Sequence, residues 1–199
     1  MTLVIGLTGS IASGKSTVSG MFDEWEIPVI DADQISRDVV RPGEPAYEDI
    51  VRVFGKDVLF DDGTLDRKKL GKVIFSSEGR RKELNDIVHP RVREEMIRRR
   101  ESYKTKEAKA VVLDIPLLYE SGLTDYVEKV LVVAVDEETQ LQRLMERDGS
   151  SREDAQERIA SQIPVSRKSE MADAVIDNNG TKEESFHQLR DILHRWDLV

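Results

Sequence analysis

At 199 residues, with 39% hydrophobic and 35% charged side chains, the chain has room for one domain with an inserted subdomain, and its composition is that of an ordinary folded protein, neither disordered nor membrane-spanning. A formal charge of −9 disfavours nonspecific binding to nucleic acid or to anionic membranes, since both need a basic surface field. The absence of cysteine excludes disulfides, thiol nucleophiles, iron–sulfur clusters and cysteine zinc sites, and His89, His187 and His194 lie too far apart for a local zinc motif.

The N-terminus enters an apolar run, Leu3 to Leu7, without a basic leader, and no apolar run approaches the ~20 residues needed to span a bilayer. A cytoplasmic protein is the expectation. After that first predicted strand, Gly9 to Ser16 read Gly-Ser-Ile-Ala-Ser-Gly-Lys-Ser, a complete G-x-x-x-x-G-K-[ST] phosphate-binding loop. Gly9 and Gly14 permit turns closed to other residues, so successive N–H groups from Ser10, Ile11, Ala12 and Ser13 through Thr17 can converge on phosphate oxygens. Lys15 would then reach the β- and γ-phosphates of a nucleotide, and Ser16 would hold Mg²⁺. Val18, Met21, Phe22 and Trp25 follow at helical spacing, so the motif has the strand, loop and helix setting that its mechanism requires.

The run Ile27 to Asp31 predicts a second strand, followed by Asp31-Ala32-Asp33. Second strands neighbour the first in many such sheets, which would set these carboxylates beside a γ-phosphate. Asp33 is the candidate base. Asp31 is placed either to bind the cation or to cap the next helix, and if period 2 persists the two point the same way, which leaves their roles exchangeable. About eighty residues then carry helical patterns with almost no strand signal, too many for a simple crossover. Helices are expected over Ala46 to Phe54 and Asp66 to Ile74, joined by the turn Asp61-Asp62-Gly63-Thr64, and over Glu78 to Ser102 with an interruption at His89-Pro90. Residues 32–109 are read as a helical acceptor-binding subdomain, with a purely structural insertion as the alternative.

Val111 to Ile115 predicts a third strand, with Asp114 where a Walker-B carboxylate reaches Mg²⁺ through water; the sequence does not rank it against Asp31 as metal ligand. Val130 to Val135 predicts a fourth. Beyond it, Arg143 and Arg147 stand four apart on a helix from Glu137 to Arg147; Asp148-Gly149-Ser150-Ser151 reads as hinge and N-cap, and a charged helix follows from Arg152. Arginines beside a glycine hinge point to a lid over phosphates, residues 140–170. Ala174 to Asp177 predicts the fifth strand, and the capping box Thr181 to Glu184 opens a helix that packs Phe186, Leu189, Ile192, Leu193 and Trp196 inward and leaves His187 and His194 on the surface. Strands apolar on both faces, alternating with helices, predict a doubly wound parallel five-stranded α/β sheet of P-loop NTPase type, with ligands at the carboxyl ends of its strands. Its core is expected from residues 1–31, 110–139 and 171–199.

Several segments together resemble the dephospho-coenzyme A kinase family: the loop with Gly6-Leu7-Thr8 before it, Ile30-Asp31-Ala32-Asp33, Arg37, Asp62-Gly63-Thr64-Leu65, His89-Pro90, Pro116-Leu117-Leu118-Tyr119-Glu120, Gln140 to Arg147, and Asp177-Asn178-Asn179-Gly180. The loop alone is shared by many enzyme types; the combination is far more specific. The resemblance implies transfer of the ATP γ-phosphoryl to the ribose 3′-hydroxyl of dephospho-CoA, with a nucleotide core, a CoA-binding helical domain and a lid. A monomer or weak homo-oligomer is expected, though the sequence does not fix the oligomeric state. The resemblance also implies Asp33 as base, Arg37, His89 and Pro116, Leu117, Leu118, Tyr119 and Glu120 on the acceptor side, Arg143 and Arg147 as lid arginines on ATP, and Asn178-Asn179 beside the adenine. His89 has the alternative of holding a kinked helix against the core. Ala12 stands where many relatives have glycine, and alanine fits there if its φ is negative. The rival readings are a nucleoside or nucleoside monophosphate kinase and a regulatory ATPase; a guanine switch lacks its Asn-Lys-x-Asp motif.

Overall fold

The computed structural model describes residues 2–199 and turns the apolar runs into β1 (Leu3–Gly9), β2 (Val29–Asp31), β3 (Ala110–Asp114), β4 (Lys129–Ala134) and β5 (Ala174–Asp177). They form one sheet in the order β2-β3-β1-β4-β5, with β1 parallel to both β3 and β4 and β4 parallel to β5. The expected adjacency of the first two strands does not occur: β3 lies between them, pairing Leu3 to Leu7 with Ala110 to Asp114. Burial explains the exchange. All five residues of β3 are buried, which suits an inner strand, whereas β2 has three residues, ends exposed at Asp31 and suits an edge.

Chain contacts divide the protein into two compact units, residues 1–30 with 102–199, and residues 31–101. In the first, α1 (Lys15–Met21) and α9 (Lys182–Arg195) cover one face of the sheet. Val18, Phe22, Leu189 and Leu193 are fully buried there against Ile5, Leu7, Leu131 and Val133, each such side chain stabilising by roughly 1.5–3 kcal/mol. Trp25 stacks on Phe186 at 5.0 Å, and Thr181 with Glu184 forms the expected capping box. His187 and His194 are exposed. After β4 come α6 (Glu137–Asp148), ended by Gly149 at φ 62, α7 (Arg152–Ala160), capped by Ser151, and α8 (Val165–Glu170).

The second unit contains α2 (Ala32–Asp38), α3 (Pro45–Phe54) and α4 (Arg67–Phe75), with most of α5 (Glu78–Thr105). Ile35, Ala46, Ile50, Val58, Leu70 and Met96 are among its buried residues. The turn at Gly63 has φ 81 and closes a small antiparallel bridge, Leu59 to Leu65, with the Tyr47 hydroxyl donating to the Gly63 carbonyl at 2.5 Å. Contrary to expectation, α5 runs unbroken through His89 and Pro90. Proline removes one helical donor, but Asp86 and Pro90 are exposed, so water can meet the orphaned Asp86 carbonyl. Spaced pairs such as Arg80 with Glu83, Arg91 with Glu94 and Arg99 with Glu95 support the helix outside its short buried stripe. Among the described residues no helix is long and apolar enough to cross a membrane.

Candidate active site

The phosphate-binding loop joins the carboxyl end of β1 to α1. Gly14 caps α1 at φ 83, ψ 19, and its carbonyl accepts from Thr17 N at 3.0 Å and Val18 N at 3.4 Å. A side chain here would be strained by φ and would strike the Asn178 amide. At Gly9 the constraint is space: a Cβ would stand 2.6 Å from Ser13 Oγ and 2.8 Å from the Val133 carbonyl oxygen. Ala12 adopts φ 60, not the negative φ expected for alanine. Ile11 and Ala12 pack on Leu141, Leu144 and Ala155 of α6 and α7, and that contact helps hold the left-handed conformation.

Lys15 and Asp114 form an ion pair, with the side chains 18% and 6% exposed. Parallel pairing of β1 with β3 accounts for the meeting, since Leu7 lies opposite Asp114 and the lysine follows at the loop's end. Ser16 and Thr17 are exposed at the start of α1. Among the described residues no cluster of three or more His, Cys, Asp or Glu could hold a metal. The site instead offers hard oxygens, the Ser16 hydroxyl at the start of α1 and the Asp114 carboxylate at the end of β3, a donor set that fits Mg²⁺.

Asn178 reaches the loop from the end of β5. Buried, it donates through Nδ2 to the Ser13 carbonyl at 2.8 Å, accepts from Ser185 Oγ at 2.7 Å, and its backbone carbonyl accepts from Arg143 Nη2 at 3.1 Å. A Cβ at Gly14 would stand 3.7 Å from Arg143 Nη1, so this arginine lies at the loop. Asn179 turns away, donating to Asp177 Oδ1 at 2.7 Å and accepting from Asp136 N at 3.1 Å. Arg147 is exposed and grips Asp148 at 2.8 and 3.2 Å. Hydrogen bonds from Arg147 first, and from Arg158, lower the Asp148 pKa to about 2.

The segment Pro116 to Glu120 follows β3, anchored by Thr8 Oγ1 donating to the Pro116 carbonyl at 3.0 Å. Leu118 is fully buried and Leu117 is 41% exposed. The Tyr119 hydroxyl is buried without a partner, and burial, then the charge of Asp173, raises its pKa. Glu120 turns onto Lys168 Nζ at 2.7 Å and accepts from Ile163 N at 3.1 Å.

Sequence reasoning missed the loop-holding role of three residues. Gln140 Nε2 donates to the Ile11 carbonyl at 2.9 Å, Ile11 N donates to Gln162 Oε1 at 3.0 Å, and Lys168, on α8, donates to the Gly9 carbonyl at 3.3 Å. Val-Ser-Arg-Lys-Ser-Glu reads as a solvated face, so nothing local marks Lys168 as buried.

The remaining candidates belong to the second unit. Asp31 is the N-cap of α2, accepting from Asp33 N at 2.8 Å and Gln34 N at 3.1 Å. The strand period therefore ends at Asp31, and Asp33 lies in the first helical turn, contrary to a continued alternation. Asp33 and Arg37 are exposed and four apart, so they share one face of α2. His89, exposed on α5, lines a cleft of about 260 Å³ with Ser36, Val40, Leu70 and Val88.

The chain is 57% identical to the dephospho-CoA kinase of Geobacillus kaustophilus over 199 residues, all of this chain and 99% of the relative. Among solved structures it resembles the dephospho-CoA kinase of Campylobacter jejuni, with 30% identity, a TM-score of 0.76 and 98% of each chain covered. A protein from Thermus thermophilus gives 35% identity and a TM-score of 0.81, over 98% of this chain and 97% of that one. The profile of the dephospho-CoA kinase family matches residues 3–184, and the chain belongs to that family.

Proposed function

We propose that the chain transfers the γ-phosphoryl group of ATP to the ribose 3′-hydroxyl of dephospho-CoA, giving coenzyme A and ADP. The observation that carries this reading is the formed phosphate loop, with Gly14 left-handed and Lys15 paired to Asp114, in a chain of this family. Backbone N–H groups from Gly9 to Thr17 cradle the phosphates, and the Lys15 ammonium turns to the β- and γ-oxygens. Asp33 takes the proton of the 3′-hydroxyl as that oxygen bonds to the γ-phosphorus and the bridging oxygen leaves with ADP. Arg37, His89 and Pro116 to Glu120 bind the acceptor, with residues 32–109 as the CoA-binding subdomain. Arg143 and Arg147 belong to a lid of residues 140–170 that neutralises the phosphates, and Asn178-Asn179 flank the adenine. Ser16 and Asp114, with Asp31 as a further carboxylate, would hold Mg²⁺, which would supply positive charge against the triphosphate.

The test incubates purified protein with ATP and Mg²⁺ and either dephospho-CoA or a panel of nucleosides and nucleoside monophosphates. Coenzyme A carrying a new 3′-phosphomonoester by ³¹P resonance is the expected product. ADP release that ignores the acceptor, or that needs a nucleoside instead, would overturn the assignment.

A further inference from the structure

The ammonium of Lys168 is wholly buried, its side chain 0% exposed. Lysine is among the rarest residues in interiors, and a buried ion pair seldom stabilises more than apolar side chains of the same volume. Stability alone gives no reason for it, whereas its contacts do. Nζ donates to the Gly9 carbonyl at 3.3 Å and meets Glu120 Oε1 at 2.7 Å, and the same glutamate oxygen accepts from Ile163 N at 3.1 Å. One residue earlier, Gln162 Oε1 takes the Ile11 N–H at 3.0 Å. Residues 162–168 thus hold the phosphate loop at Gly9 and Ile11 while holding the segment after β3 at Glu120. Gly9 has no slack, because Ser13 Oγ and the Val133 carbonyl close over it. A displaced Gly9 would therefore carry Ser13, and with it the loop.

We propose that Lys168 is a positioning residue of the phosphoryl-transfer site. Its charge, balanced by Glu120, fixes the point where β1 becomes the phosphate loop and ties that loop to the 116–120 segment. This deepens the kinase reading and rests on it.

Because the chain has no cysteine, Lys168→Cys introduces a single thiol. Alkylation in denaturant with 2-bromoethylamine, then refolding, rebuilds an ammonium on a side chain of nearly lysine length; iodoacetamide leaves a neutral amide of similar reach. The readouts are calorimetric affinity for a non-hydrolysable ATP analogue and hydrogen exchange of the Gly9 to Ser13 amides. The neutral forms are expected to bind the analogue about tenfold or more weaker and to exchange faster, and the aminoethyl form to return within about threefold of the lysine protein. Equal recovery by the neutral adduct would overturn the proposal.

Should the single variants fail to fold, Lys168→Met with Glu120→Gln removes both charges from the interior, and melting near that of the unmodified chain is expected with weak binding and fast exchange. Native affinity and exchange in that double variant would equally sink the idea. If the unmodified chain fails to phosphorylate dephospho-CoA, the functional reading falls, yet exchange across the loop still judges Lys168.

Discussion

The phosphate loop and the helical unit of residues 31–101 present their candidate groups in opposite ways. Between Gly9 and Ser13 the protein holds the backbone from inside: Lys168 on Gly9, Gln140 and Gln162 on Ile11, Asn178 on Ser13. In the helical unit Asp33, Arg37 and His89 are exposed side chains, and the fixed contacts beneath them are apolar, through Ile35, Ile50, Leu70 and Met96. Function built into a buttressed backbone cannot be altered without altering packing. Function carried by exposed side chains can be removed with the fold left intact.

The largest expected effect tests the second half of that contrast. Asp33→Asn should lower kcat by about 10²–10⁴ with ATP affinity near normal, because a positioned base acts chiefly in the transition state. Its melting temperature should stay within a degree or so of the unmodified chain, since Asp33 is exposed and its backbone N–H keeps its bond to Asp31. A normal kcat would remove Asp33 from the role; a large loss of stability would break the contrast itself.

Lys15→Ala should behave in the other way. A loss of about 10²–10³ in kcat/KM is expected, shared between ATP binding and turnover, because the ammonium meets charge present in both ground and transition states. The same change withdraws the cation from Asp114, whose side chain is 6% exposed, so thermal stability should fall in the absence of nucleotide. Kinetics and melting like those of the unmodified chain would overturn the reading of the loop.

A smaller effect concerns stability within the helical unit. Glu95 receives hydrogen bonds from Arg98 at 2.6 and 2.7 Å and from Arg99 at 2.7 Å, and Arg98 first, with Arg99, brings its pKa to about 2 against the partial burial that opposes it. A depressed folded-state pKa contributes stability that is complete above the ordinary 4.5 and is lost as pH falls toward about 2. Screening by solvent, which reaches Arg98 at 69% exposure and Glu95 at 21%, limits the contribution to about 1 kcal/mol. Glu95→Gln should therefore melt about 2–4 °C lower at pH 7, the gap narrowing below pH about 4.5. A gap that persists unchanged at pH 3 would show that packing, not charge, is responsible.

How much of this could be read in the residues follows the same division between local and nonlocal causes. The five strands are legible because runs such as Val111 to Leu113 bury both faces, and the loop is legible because its glycines and lysine sit at fixed spacing. Strand order is not, because placing β3 between β1 and β2 depends on pairing partners about eighty residues or more apart. Pro90 misleads because a helix tolerates one lost donor where water can reach the carbonyl. Lys168 and Gln162 leave no trace, since a polar residue in a charged stretch looks the same whether it meets solvent or a backbone carbonyl. Asn178 stood in a recognisable turn, but its hold on Ser13 emerges only when β5 and the loop are brought together.

Ala12 tests how tightly the buttressed backbone is tuned, and the expected effect is the smallest. An L-residue in the left-handed region costs roughly 1–2 kcal/mol, which Ala12→Gly would relieve. Against that stand the added freedom of glycine in the unfolded chain, about 0.4–1 kcal/mol, and the loss of a methyl packed toward Leu141, Leu144 and Ala155, worth about 0.8 kcal/mol. The terms nearly cancel, so stability should move by no more than about 1 kcal/mol in either direction, and kcat/KM for ATP by less than about threefold. Melting and steady-state kinetics read both. A loss of tenfold or more in kcat/KM without a fall in melting temperature would mean that the alanine methyl, wedged between loop and helices, sets the path of the phosphate cradle, and that the helices after β4 control the loop through packing as well as through the hydrogen bonds of Gln140 and Gln162.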